Sequence, residues 1–219
     1  MKWFTRFNIA RFAACLVFVQ AAMVFADELP LNQLPMYGGK QKTDAMKAAD
    51  QAFIAGIDKQ GLSHVDAARQ IVTAGWAYVG KNDSATAMQR FNQAWLLNPE
   101  NGDIYDGFAV VTAQRRGSPQ EVESLFKLAL SKPGVAVDAY VNYARFLWTQ
   151  KELERSMALL NQALQISPKA PNAKSNISFV YYLRGDFGAA CDWARQAEQN
   201  GDQLEAGYRD DMCRRGAKP

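Results

Sequence analysis

Pro99 and Pro133 stand 34 residues apart, and Pro168 follows one residue late. Ahead of each proline, small and large residues recur at similar distances. Gly75, Tyr78, Ala87, Phe91 and Ala94 precede Pro99, and Ala144, Leu147, Ser156, Leu160 and Ala163 precede Pro168. A period of this length is the mark of one supersecondary unit that buries its apolar face only by stacking on its neighbours. From Ser63 onward helical periodicity is interrupted only by turn signals: "GKND", "NPENGD", "RRGSPQ", "KPG", "SPKAPN", "RGD" and "NGD". No alternating run bounded by hairpin residues is present, which argues against a sheet. The expected class is all-α, with short helices in antiparallel pairs.

Counted from Ala68, the first unit places Gly75, Tyr78, Ala87, Phe91, Ala94 and Pro99 at positions 8, 11, 20, 24, 27 and 32. The small residues at 8 and 20 let two helices meet closely, large residues fill the space beside that contact, and the proline stops the second helix. This pattern strongly resembles the tetratricopeptide repeat. The resemblance extends over about residues 64–214 and implies a solenoid of antiparallel helix pairs. The expected organisation is an export signal over 1–26, an extended arm over 27–42 and a leading helix over 43–62. Repeats follow over 63–101, 102–136, 137–170 and 171–202, with a capping helix and tail over 203–219. The second unit needs one inserted residue before Val122, Phe126 and Ala129 fall into phase. The fourth has no closing proline, and Asp202 stands in its place.

The N-terminus carries Lys2, Arg6 and Arg11, then the apolar run Phe12–Ala26. That run is short of the roughly 20 residues a spanning helix needs, and Ala26 ends it ahead of Asp27 and Glu28, as a cleavage site would. Export to the periplasm is expected, with a retained anchor as the alternative; no later stretch is apolar enough to span a bilayer. Cys15 does not end the apolar run as a lipidated cysteine should. Without the signal, 25 basic residues fall to 22, equal to the 22 acids, and no block of like charge stands out. That argues against non-specific nucleic-acid binding, which needs Lys and Arg clustered against phosphates. Cys191 and Cys213 remain. Their spacing alone leaves a disulfide and two free thiols both open.

Little in the sequence points to catalysis. His64 is the single histidine and sits in the first turn of a helix. No nucleophile elbow, phosphate loop or dinucleotide fingerprint is present. Adjacent Asp210 and Asp211 point to different helix faces. No catalytic residue, metal or cofactor is expected.

The resemblance implies a concave face built mainly from positions 2, 5, 9, 12 and 13 of each first helix. Those positions hold Trp76, Val110, Arg145 and Phe179, then Val72, Asp106 and Asp138, then Trp148 and Tyr182. Trp76, Asp106, Val110, Arg145, Trp148, Phe179 and Tyr182 are therefore the candidate groove for a protein or peptide partner. The alternative is that the leading helix, or the arm with Pro35, Met36 and Tyr37, fills that groove. The lysine, asparagine and arginine set with which some family members clamp a C-terminal carboxylate is absent, although Asn142 and Asn176 stand at position 6. Cys191 falls at position 21 of the fourth unit, on the side that meets the following helix, so a Cys191–Cys213 disulfide is expected. The functional expectation is an exported protein-interaction module. A structural accessory subunit of an envelope or secretion assembly is one alternative, and an enzyme with an unrecognised site is another.

Overall fold

The computed structural model describes residues 29–217, and the expected export signal lies outside them. Among the described residues there are ten α-helices, two 3-10 turns and no strand. A leading helix α1 (Asp44–Lys59) precedes four pairs: α2 (His64–Gly80) with α3 (Ser84–Leu97), α4 (Gly102–Gln114) with α5 (Pro119–Ser131), α6 (Val137–Thr149) with α7 (Leu153–Ile166), and α8 (Ala173–Arg184) with α9 (Phe187–Asn200). A final helix α10 (Tyr208–Gly216) packs on α9. No helix among the described residues is long and apolar enough to cross a membrane.

Side chains at the turns start these helices by accepting free amides at the helix N-termini. Thr43 accepts from the Met46 amide, Ser63 from Asp66, Asp83 from Thr86, Ser118 from Glu121 and Asp186 from Ala189. At Ser63 the contact is reciprocal: the Ser63 hydroxyl also donates to Asp66 Oδ2 at 2.6 Å. The fourth unit has a different device. Asp202, where the closing proline was expected, is buried and accepts the Asn172 and Ser175 amides, each at 3.1 Å. It caps α8 from the following loop, where a negative charge also suits the helix dipole.

The core begins at the close contact of α2 and α3. Phe91 is fully buried with its edge toward Phe108, the ring centres 6.3 Å apart. A Cβ added at Gly75 would lie 2.6 Å from the Phe91 ring, and one added at Gly107 would lie 2.4 Å from it. The first pair and α4 thus meet around one phenylalanine. In later pairs serines take the small positions without leaving a polar atom unsatisfied. Ser156 donates to the Ala144 carbonyl at 2.8 Å and Ser178 to the Ala190 carbonyl at 2.7 Å, so each hydroxyl links its pair of helices.

Two elements differ from expectation. The arm is not extended: it folds into 3-10 turns at Leu31–Gln33 and Pro35–Gly39 and docks on α3. Buried Asn92 organises that contact. Its Nδ2 donates to the carbonyls of Asn32 and Leu34 at 3.0 and 2.8 Å, and its Oδ1 accepts from the Tyr37 amide at 3.3 Å. Arg115 donates to the carbonyls of Gln33 and Ser84, each at 2.6 Å. The last helix starts at Tyr208 rather than Gln203, because the chain turns through Gly207 at φ +79°.

Cys191 of α9 and Cys213 of α10 form a disulfide, with Cα atoms 4.7 Å apart. The bond closes a loop across the C-terminal end. Its loss in Cys213→Ser should cost about 3 kcal/mol on the loop-entropy estimate. Chemical denaturation of the two forms measures that cost, and equal midpoints would show that the bond adds no stability.

Candidate functional site

Positions 2, 5, 6 and 9 of a first helix follow the spacing that keeps side chains on one helical stripe. Helices α2, α4, α6 and α8 succeed one another along one face, and on this stripe Val72, Asp106 and Val141 are buried while Arg69, Asp138 and Arg145 are exposed. Three cavities run along it. The first, of about 390 Å³, is lined by Arg69, Val72 and Trp76 of α2, Asp103 and Asp106 of α4, and Asp138, Asn142 and Arg145 of α6, among others. The second, of about 700 Å³, lies among Trp76, Val110, Phe126, Arg145 and Trp148. The third, of about 460 Å³, is lined by Arg145, Trp148, Asn176 and Phe179, with Leu204 and Tyr208 from the C-terminal end. Arg145 lines all three, is exposed, and forms no ion pair among the described residues. No described residue of the arm or α1 lines any of them.

The aromatic candidates are half-buried. Trp76 stands edge-on to Phe91 at 5.6 Å, and Trp148 packs on Phe179 at 4.8 Å. Val110 is half-buried on the second cavity. Tyr182 lines none of the three. It sits between Phe179, Phe187 and Tyr208, beneath the Arg215 guanidinium, and belongs to the junction with α10.

Asp106 differs most from a surface contact residue, being only 3% exposed. Its Oδ2 accepts from Asn142 Nδ2 at 3.0 Å, while its Oδ1 is buried without a hydrogen-bond partner. Burial pushes its pKa up to about 7. The Asn142 hydrogen bond opposes that rise, and the Asp103 and Asp138 carboxylates add to it. Trp148 Nε1 and Asn176 Nδ2 are likewise buried and unpartnered. Of the four such atoms among the described residues, three therefore belong to residues that line these cavities. Native proteins satisfy most buried polar groups, so this concentration on one face is informative. Sequence reasoning passed over Arg69 and Asp103. Both stand at position 2, where the 34-residue register would have found them.

Residues 137–169, which span α6 and α7, match the tetratricopeptide-repeat family model. The fold is a tetratricopeptide-repeat solenoid. Solved structures agree. The chain superimposes on the pilF protein of Pseudomonas aeruginosa with a TM-score of 0.62 at 18% identity, over 70% of each chain. It matches PilW, a widely conserved type IV pilus biogenesis factor, with a TM-score of 0.57 at 18% identity, over 80% of this chain and 89% of that one. YrrB, a TPR protein with an unusual peptide-binding site, matches with a TM-score of 0.50 at 14% identity, over 76% and 81% of the two chains. No curated protein sequence matches the chain. These likenesses establish the solenoid; the three cavities are a property of this chain's own residues.

His64 is exposed at the start of α2, with Nε2 2.8 Å from Asp58 Oδ1. No group of three histidine, cysteine or acidic side chains among the described residues could hold a metal ion.

Proposed function

We propose that this protein is an exported interaction module that holds an extended segment of a partner protein along α2, α4, α6 and α8, without catalysis of its own. The observation that carries this reading is the row of three cavities meeting at Arg145. Half-buried Trp76, Trp148 and Phe179 stand there at positions the repeat does not need for packing. Rigid aromatics beside polar groups are the usual anchors of a partner chain. The docking of the arm on α3 supports an accessible face, and the peptide-binding site of YrrB supports a peptide as occupant. Export to the periplasm is supported by the Cys191–Cys213 bond, since disulfides persist in oxidising compartments, and by the charged and apolar pattern of residues 1–26.

Groove variants test this reading. A partner cross-linked and isolated from the cell envelope should bind Trp76→Ala and Phe179→Ala at least about 2 kcal/mol more weakly in calorimetry, the loss typical of anchor residues. The same variants should lose less stability than the about 3–5 kcal/mol of a fully buried aromatic. Unchanged affinity in both variants would place the partner elsewhere on the molecule.

A further inference from the structure

We propose that the bound segment carries a lysine or arginine whose side chain enters the 390 Å³ cavity and donates to Asp106; this rests on the partner-binding reading above. Asp106 lines the cavity, and its buried Oδ1 receives no donor from the described residues. Asp103, by contrast, accepts from the Ala136 amide at 2.8 Å. The charged groups lining the cavity are Arg69 from α2, Asp103 and Asp106 from α4, and Asp138 and Arg145 from α6. Arg69 is turned to Asp66 on its own helix at 3.1 Å, so it does not meet the need of Asp106. The Asp103 and Asp138 carboxylates both disfavour ionisation of Asp106, so these neighbouring acids make the site favour a cation. A neutral hydroxyl or amide would supply a hydrogen bond but leave that charge unbalanced. An ammonium or guanidinium supplies both, and a charge-assisted bond to a buried carboxylate is the stronger kind. Trp76 lines the same cavity, half-buried, so the aliphatic stem of such a residue can pack against its indole. Because the incoming cation favours the ionised carboxylate, binding should tighten as pH rises through about 7.

The probe is a library of random displayed peptides selected on the purified, disulfide-bonded protein. Enriched peptides should share one basic position with apolar or aromatic neighbours. A synthetic peptide from that set should bind Asp106→Asn at least tenfold more weakly than the parent protein. Replacing its basic residue with methionine should weaken binding to the parent protein by a similar factor and change little on Asp106→Asn. Asp138→Asn, a surface change at the same cavity, should weaken binding by a smaller factor and serves as the second variant. Affinity for the basic peptide should also rise severalfold between pH 6 and pH 8. Peptides that depend on Trp76 but share no basic position, or that bind Asp106→Asn unchanged, would overturn the proposal while leaving the binding face intact. Peptides indifferent to both Trp76→Ala and Asp106→Asn, or no enrichment at all, would contradict the binding face itself.

Discussion

Phe91→Ala should cost the fold about 4 kcal/mol, within the 3–5 kcal/mol range for emptying a fully buried aromatic site. Three helices converge on this ring. Gly75 of α2 and Gly107 of α4 approach it closely, and the rings of Trp76 and Phe108 pack around it. With the backbone of two helices already at the ring, the neighbours have little freedom to collapse into the space it leaves. The reverse change is also costly. Gly75→Leu or Gly107→Leu drives side-chain atoms into a position where even a Cβ comes within 2.6 Å of the ring, and overpacking of this kind costs about 1–3 kcal/mol or more. Gly107→Ala combined with Phe91→Leu should cost less than the sum of the two single changes, since the smaller side chain makes room for the added methyl. Guanidinium titrations followed by circular dichroism measure each variant. A Gly75→Leu protein as stable as the parent would mean that the first pair is not packed in this register.

Asp106→Asn should stabilise the protein, and the gain should grow with pH. An aspartate in the unfolded chain titrates near pH 4, whereas burial raises Asp106 to about 7 in the fold. Below pH 4 both states are protonated and the raised pKa costs nothing. Between pH 4 and 7 the unfolded chain releases its proton while the fold keeps it, so stability falls as pH rises. Above 7 both are ionised and the loss is complete. Asparagine does not titrate, and the Asn142 amide can turn its oxygen toward it. The gain in Asp106→Asn should therefore be near zero at pH 4 and about 2–4 kcal/mol at pH 8, at about 1.4 kcal/mol for each unit of pKa difference. Denaturation midpoints of the two proteins at pH 4, 6 and 8 measure it. A difference that does not change with pH would mean that the carboxylate is solvated. A residue that weakens its own fold at neutral pH fits a site kept for binding rather than for stability.

The repeat was legible where packing dictates residue size. Gly75, Ala87 and Phe91 sit at a helix contact that leaves no latitude, so their spacing alone revealed the pair. Gly107 was not legible. It stands outside the small positions of its own unit, and its partner is a ring belonging to the preceding one. The arm was misread for a similar reason. Its prolines and glycines say only that it is not a regular helix, while the contacts that fold it come from Asn92 and Arg115, at least 55 residues away. Trp76, Arg145, Trp148 and Phe179 could be named as candidates because the repeat's packing does not fix the residues at those positions, and each of them lines at least one of the cavities. Tyr182 shares its unit position with Trp148, but in the last pair α10 stands beside it, and Phe187 and Tyr208 enclose the ring. The unpartnered oxygen of Asp106 had no sequence signal, because its burial depends on the depth at which α4 lies between α2 and α6.

Hydrogen exchange on the protein, free and saturated with its partner or with a selected peptide, tests the binding face most directly. Slowed exchange is expected in α4, α6 and α8, around Arg145 and Trp148, and in the 203–207 segment that borders the third cavity. Slowing confined to α3, α5, α7 or the 31–39 turns, with these helices unchanged, would contradict a role for the three cavities and would favour an assembly subunit held by its outer face.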